Sequence, residues 1–282
     1  MTELASAPAV ARPRPARTPS PEDERYSRRV DTLVTLGDST PVGLGDPVPG
    51  GRWRGFPVLL AQALGPCTLL NPARTGARVA HVRHEQLPLA LAAAPDVVVL
   101  SVGMNDTLRS DFDPARMLAD WFAIVDALRA AGAYVLMLRY HDHTRVFRLP
   151  TLLRQALLRR IAALNTVVDT VASAHPGGVG VLDLHTMAGS YERETWAVDR
   201  LHPSERGHRL LAAGFAGLLG GAGFAVVEPV SLQCAGGRTV TPAQRAAWLV
   251  LKGVPWLVRR GGDLGPVIVQ GLVSELVRRP QT

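Results

Sequence analysis

Five short apolar runs alternate along the chain with segments whose apolar residues recur every three or four positions. Thr32 to Leu36 is the first run, and it stops at Gly37. Cys67 to Leu70 is the second. The third, Asp96 to Val102, has Val97-Val98-Val99-Leu100 at its centre. Tyr134 to Leu138 and Val179 to Leu184 complete the set. Runs this short, and apolar on both faces, predict buried parallel strands. Helical spacing predicts helices over Trp53 to Leu64, Ala77 to Ala94, Pro114 to Ala130, Thr151 to Ala174 and Ser204 to Leu219. Pro88 is expected to split the second, because a mid-helix proline removes a hydrogen bond. Gly65-Pro66 ends the first. Asp113 is placed as an N-cap for the third, with Pro114 at its first position and Gly132 beyond its end.

Continuous apolar strands alternating with helices predict an α/β fold with a parallel sheet covered on both faces. Such sheets carry their sites beyond the carboxyl ends of the strands. Ser39 falls just past the first strand and Asn105 just past the third. Gly76 lies a few residues beyond the second. Asp199 and His202 follow the fifth by a loop.

Composition narrows the class. The 282 residues suit one large domain with extensions, or two small ones, and 47% apolar content can fill a sizeable core. Aromatic residues are only 5%, so that core must be mostly Ala, Val and Leu. The net charge is +7, and Lys252 is the single lysine, so arginine supplies nearly all the positive charge. The arginines are scattered. Nucleic-acid binding needs a clustered patch and a reading element, and neither is present, so no nucleic-acid partner is expected. Cys67 and Cys234 are far apart and fit no metal spacing; they read as ordinary thiols. The first 28 residues are rich in Pro, Ala, Arg and Ser and lack the apolar core of a signal peptide, so they read as a disordered leader. No segment reaches the ~18 apolar residues of a membrane span. A cytoplasmic protein is expected.

The chemistry sits in four segments. Gly37-Asp38-Ser39 presents a serine at a strand end. Asp199-Arg-Leu-His202-Pro203 offers a carboxylate and an imidazole three residues apart, a spacing that would place both on one side of a helical turn. A serine hydroxyl needs an adjacent base, and a histidine base needs a carboxylate to hold its tautomer. Between them, in order, stand Asn71 to Gly76, which ends in a glycine able to present a bare backbone N–H, and Gly103-Met104-Asn105-Asp106, which supplies a side-chain amide.

These four blocks together resemble those of the SGNH hydrolases, also called GDSL esterases and lipases, from about Thr32 to Leu218. The resemblance implies a three-layer α/β/α, flavodoxin-like fold around a five-stranded parallel sheet. It implies a serine esterase or acyl hydrolase acting on a small-molecule ester, with no cofactor and no metal. Ser39, His202 and Asp199 match the family's triad. The Ser39 N–H, the Gly76 N–H and the Asn105 amide match its oxyanion hole. It also implies that Asp38 is structural, bonding loop backbone. Thr40 departs from the leucine that gave the motif its older name, at a position that is not catalytic in the family. Two rivals share the fold: an acyltransferase using an alcohol or amine acceptor, and a non-catalytic binding module, which would normally have lost part of the triad.

The pocket walls are less legible. The Gly-rich segment Val42 to Trp53 begins beside Ser39, which makes Asp46 and Trp53, with Arg52, candidate substrate contacts. Tyr140-His141-Asp142-His143 follows the fourth strand on the same side. His141 and His143 are read as pocket-lining; the competing reading is a metal site, for which no further ligand cluster is apparent. The expected organisation is a leader (1–28), a hydrolase domain (29–220) and a mostly helical C-terminal extension (221–282). The extension mixes Trp248, Trp256 and leucines with Arg259 and Arg260. Packing against the body is the favoured reading. A dimer surface and a membrane interface are the alternatives. The sequence does not indicate an oligomeric state.

Overall fold

The computed structural model describes residues 28–146, 151–235 and 241. Five parallel strands form the central sheet: β1 (Thr32–Gly37), β2 (Thr68–Leu70), β3 (Val97–Ser101), β4 (Tyr134–Arg139) and β5 (Val179–Asp183). Their spatial order is β2-β1-β3-β4-β5. This is the doubly wound, flavodoxin-like order, whose switch point lies between β1 and β3. In register, Val34 stands beside Val98 and Gly37 beside Ser101. All five residues of β3 are buried, as expected for a central strand covered on both faces.

Five helical segments cover the sheet: α1 (Gly55–Leu64), α2 (Val79–Ala92), α3 (Pro114–Ala130), α4 (Thr151–Ala174) and α5 (Glu205–Gly221). Asp113 does cap α3, accepting from the N–H groups of Ala115 at 2.9 Å and Arg116 at 3.2 Å. The core is built largely from Val and Leu, with Trp121, Phe56 and Phe215 as its largest fully buried rings.

Two helix expectations change. α1 begins at Gly55 rather than Trp53, because Trp53 pairs with Pro47 in a small antiparallel hairpin, Pro47–Val48 with Arg52–Trp53. Pro88 does not break α2. The segment Val82–Gln86 is a π-helical turn, and Pro88 falls in the first turn of the α-helical stretch that follows, where a missing N–H costs little.

Residues 1–27 and 242–282, and with them most of the leader and of the C-terminal extension, lie outside the described residues. At the edges of the body, Arg28 bridges Phe224, whose ring is buried, and the Val227 N–H donates to Ala63 O at 2.8 Å. No helix is present in 222–235. Both cysteines are free thiols. Among the described residues, no helix is long and apolar enough to cross a membrane.

Candidate active site

The nucleophile segment is held by the end of β1. Gly37 has φ +140°, and a Cβ there would collide with Ser101 O of the neighbouring strand, so glycine is required. Gln86 from the π-turn brackets the same residue. Its Oε1 accepts from Gly37 N–H at 2.8 Å, and its Nε2 donates to Gly37 O at 2.9 Å. The chain then enters a four-residue helical turn, Ser39–Val42. Asp38 caps it by accepting the Thr40 N–H at 3.1 Å. Ser39 thus stands at the first position of the turn, at the carboxyl edge of the sheet.

His202 reaches Ser39 from the far side of the chain. Its Nε2 lies 2.9 Å from Ser39 Oγ, and its Nδ1 lies 2.6 Å from Asp199 Oδ2. An ionised carboxylate can only accept, so Nδ1 carries the hydrogen and Nε2 faces the hydroxyl as an acceptor. Asp199 is fixed in turn. Its Oδ1 accepts the backbone N–H of Leu201 at 2.9 Å and of His202 at 3.0 Å. Burial alone would push this carboxyl up, but the His202 hydrogen bond and charge, with those two N–H groups, hold it below the usual range. The local geometry corrects the expected helical turn. Asp199 to His202 is a non-helical bend in which Arg200 adopts φ +61°.

The remaining groups converge from β2 and β3. Gly76 adopts φ +79°; a Cβ there would meet nothing, so conformation and not space calls for glycine. Neither the Ser39 nor the Gly76 backbone N–H has a partner among the described residues. The Asn105 amide donates to Ala77 O at 3.1 Å and to Asp38 Oδ2 at 3.3 Å. Asp38 therefore bonds both loop backbone and Asn105. Burial pushes its carboxyl up to about 6, against the Thr40 N–H and His202 and reinforced by Asp106.

Ser39, Gly76, Asn105 and His202 line one cavity of about 270 Å³, together with His141 and His143. The two histidines lie under Trp196. The His141 ring stacks on the indole at 4.9 Å and 24°, while His143 meets it edge-on. Burial drives both imidazoles toward the neutral form, His141 to about 3 and His143 to about 4. Among the described residues, no group of three or more His, Cys, Asp and Glu side chains is placed to hold a metal ion.

Asp46 and Trp53 do not belong to this cavity. Asp46 turns inward and is 1% exposed. Its carboxylate takes Arg54 at 2.9 and 3.0 Å and the Gly55 N–H at 3.1 Å. Its charge is fully engaged in anchoring the loop to α1. Trp53 sits exposed on the hairpin. Proximity to Ser39 in sequence suggested both, and the inward fold of the loop removes both.

Several residues that serve the site are hard to read from sequence. Gln86 is one. Arg78 is another: its Nε meets Asp106 Oδ1 at 3.1 Å, while Val79 N–H donates to Asp106 Oδ2 at 3.2 Å, which ties the Gly76 segment to the Asn105 segment. Asp106 adjoins Asn105, so its position carried a signal. Trp196 and Met187 also line the cavity, and no sequence pattern marked them.

Residues 35–210 match the family model described as the GDSL-like lipase/acylhydrolase family. The chain belongs to that family. It is a carboxylic ester hydrolase of the GDSL type. No curated protein matches the sequence. Solved structures share its fold. LAE5, an alpha/beta hydrolase enzyme from the metagenome of Lake Arreo, Spain, is similar at 19% identity and TM-score 0.57, covering 71% of this chain and 100% of its own. Axe2, an acetylxylan esterase from Geobacillus stearothermophilus, is similar at 19% identity and TM-score 0.55, covering 70% of this chain and 96% of its own. TesA is similar at 24% identity and TM-score 0.54, covering 68% of this chain and 99% of its own.

Proposed function

We propose that this GDSL hydrolase cleaves carboxylic esters through an acyl-enzyme on Ser39. His202 Nε2 takes the Ser39 proton as Oγ attacks the ester carbonyl. The resulting imidazolium is stabilised by Asp199, which stays ionised throughout. His202 then gives the proton to the departing alkoxide, and an alcohol leaves. A water molecule enters, His202 takes its proton, and the acid is released as Ser39 is reprotonated.

The charge on oxygen in each tetrahedral intermediate would be met by the N–H groups of Ser39 and Gly76 and by the Asn105 amide. The bond to Ala77 O fixes the amide plane, and the long contact to Asp38 is the one whose hydrogen can be shared with an oxyanion. Donors of this kind contribute roughly 10²–10³ in rate apiece.

The continuous relay of 2.9 Å from Ser39 to His202 and 2.6 Å from His202 to Asp199 carries this reading. The test is a fluorophosphonate probe. It should label Ser39 in the full chain, and Ser39→Ala should lose both labelling and ester turnover while melting at the same temperature. Turnover retained in Ser39→Ala would remove the assignment.

A further inference from the structure

We infer that the cavity beside Ser39 receives an uncharged aliphatic acyl chain of medium length, roughly six to ten carbons. The inference rests on the acyl-enzyme reading above and deepens it.

Three observations carry it. The first is position. The cavity runs along the carboxyl edge of the sheet from Ser39 at β1, past Met104 and Leu108 beyond β3 and Leu138 at β4, to Leu184 and Met187 beyond β5. From β1 to β5 is three strand spacings, or about 14 Å. An acetyl group bound to Ser39 would occupy only the near end. The second is volume. About 270 Å³ leaves room well beyond an acetyl group. A chain of sixteen carbons would have to leave by the mouth.

The third is the chemistry of the wall. The chain carries 31 Lys and Arg residues, yet none of those described lines the cavity. Around the reacting groups the lining is mainly Met, Leu, Tyr and Trp, with the uncharged hydroxyl side chains of Thr40, Thr75, Ser190 and Thr195, and burial keeps His141 and His143 neutral. A terminal carboxylate on the acyl chain would find no cation, and burying an unpaired charge is strongly unfavourable. Trp196 is held by its Nε1 hydrogen bond to Ser190 O at 2.8 Å.

The experiment measures kcat/KM of the full chain on p-nitrophenyl esters from acetate to palmitate, and on a monoester of adipic acid against hexanoate. Each buried methylene is worth roughly fourfold. The octanoate ester should exceed acetate by at least about 100-fold, with a fall by palmitate. The adipate monoester should lie well below hexanoate. Met187→Trp, which fills the β5 end, should lower the octanoate-to-acetate ratio at least about tenfold, because it displaces several methylenes. Met187→Ala should move the optimum to longer chains, and it keeps the test alive if the tryptophan variant fails to fold. Rates are normalised to sites titrated with fluorophosphonate. A labelled, active protein that prefers acetate, or whose ratio ignores both Met187 variants, overturns this inference alone. Absence of Ser39 labelling and of turnover on every ester would remove the acyl-enzyme reading and this inference with it.

Discussion

Two clusters of acids and bases lie on either side of the segment that follows Ser39, and they have opposite characters. On one side Ser39, His202 and Asp199 form a relay that ends in a hydroxyl facing a mostly apolar cavity. On the other, Asp46, Arg54, Glu205 and Arg209 form a closed ionic network. Arg54 pairs with Asp46 and Glu205 at 2.9 Å each, and Glu205 takes Arg209 at 2.9 Å, four residues along α5. Beside it, His208 accepts the Phe56 N–H at 3.1 Å on Nδ1 and donates from Nε2 to Leu44 O at 2.9 Å. Its tautomer is fixed and both nitrogens are occupied.

Both clusters use an acid and a base close in sequence, Asp199 with His202 and Glu205 with Arg209. The difference is saturation. In the network each charge has its partners, so the group anchors the Ser39 loop to α1 and α5 and has nothing left for a substrate. In the relay the last group has a reactive atom open to the cavity.

The comparison can be broken by removing one carboxylate from each side. Asp199→Asn should lower kcat by as much as ~10⁴, because the imidazole loses its tautomer and its counter-charge. Its melting temperature should move far less than in the next variant. A small kcat change would mean that Asp199 only shapes the bend. Asp46→Ala should do the reverse. Removing one partner of a buried pair costs about 3–5 kcal/mol, and the partial exposure of Arg54 favours the low end. At 2–4 °C per kcal/mol this is roughly a 6–12 °C fall in Tm, with kcat per labelled site essentially unchanged. A large kcat loss without destabilisation would return Asp46 to the active site.

Acid stability sharpens the contrast further. Burial lowers His208 to about 4, as it lowers His141 to about 3 and His143 to about 4, all from an ordinary 6.5. The unfolded chain therefore binds more protons than the folded one through this range. Stability from these groups is present above about 6.5 and is lost as pH falls toward 4. Asp38 opposes them: raised from 3.8 to about 6, it takes up its proton earlier in the folded chain. Burial raises Asp106 as well, on the side of Asp38, whereas Asp199 and Glu205 are held low and add to the loss near the acid end. With three histidines and these two carboxylates against Asp38 and Asp106, Tm should fall on acidification from pH 6.5 to 4, and His208→Gln should flatten that slope in part. A Tm that is level or rises across this window would show that these histidines are not held neutral.

The sequence was most informative where chemistry or backbone geometry demands a residue type. Asp113 and Pro114 announced the start of α3, since only a few side chains satisfy the first N–H groups of a helix. Gly37, Ser39, Gly76, Asn105, Asp199 and His202 stood out because four blocks resemble those of the GDSL family, in the family's order, and carry the residue types that the proposed reaction needs. The pocket wall was not legible in the same way. Asp46 and Trp53 are near Ser39 along the chain, but one folds inward to Arg54 and the other stays on the surface. Trp196 and Met187 are remote in sequence, and packing alone brings them to the cavity.

Local pattern by itself determined the five strands, the helices between them and the side of the sheet that holds the site. Each of those follows from periodicity, capping and the geometry of parallel crossovers, which neighbouring residues largely decide. Only the tertiary structure decided which charges are spent on the fold, that the bend at Arg200 replaces a helical turn, and that the cavity is mostly apolar and free of arginine. Those outcomes depend on which side chains meet across distant segments. A carboxylate's role is set by its partners' positions, which its own neighbours in sequence do not fix.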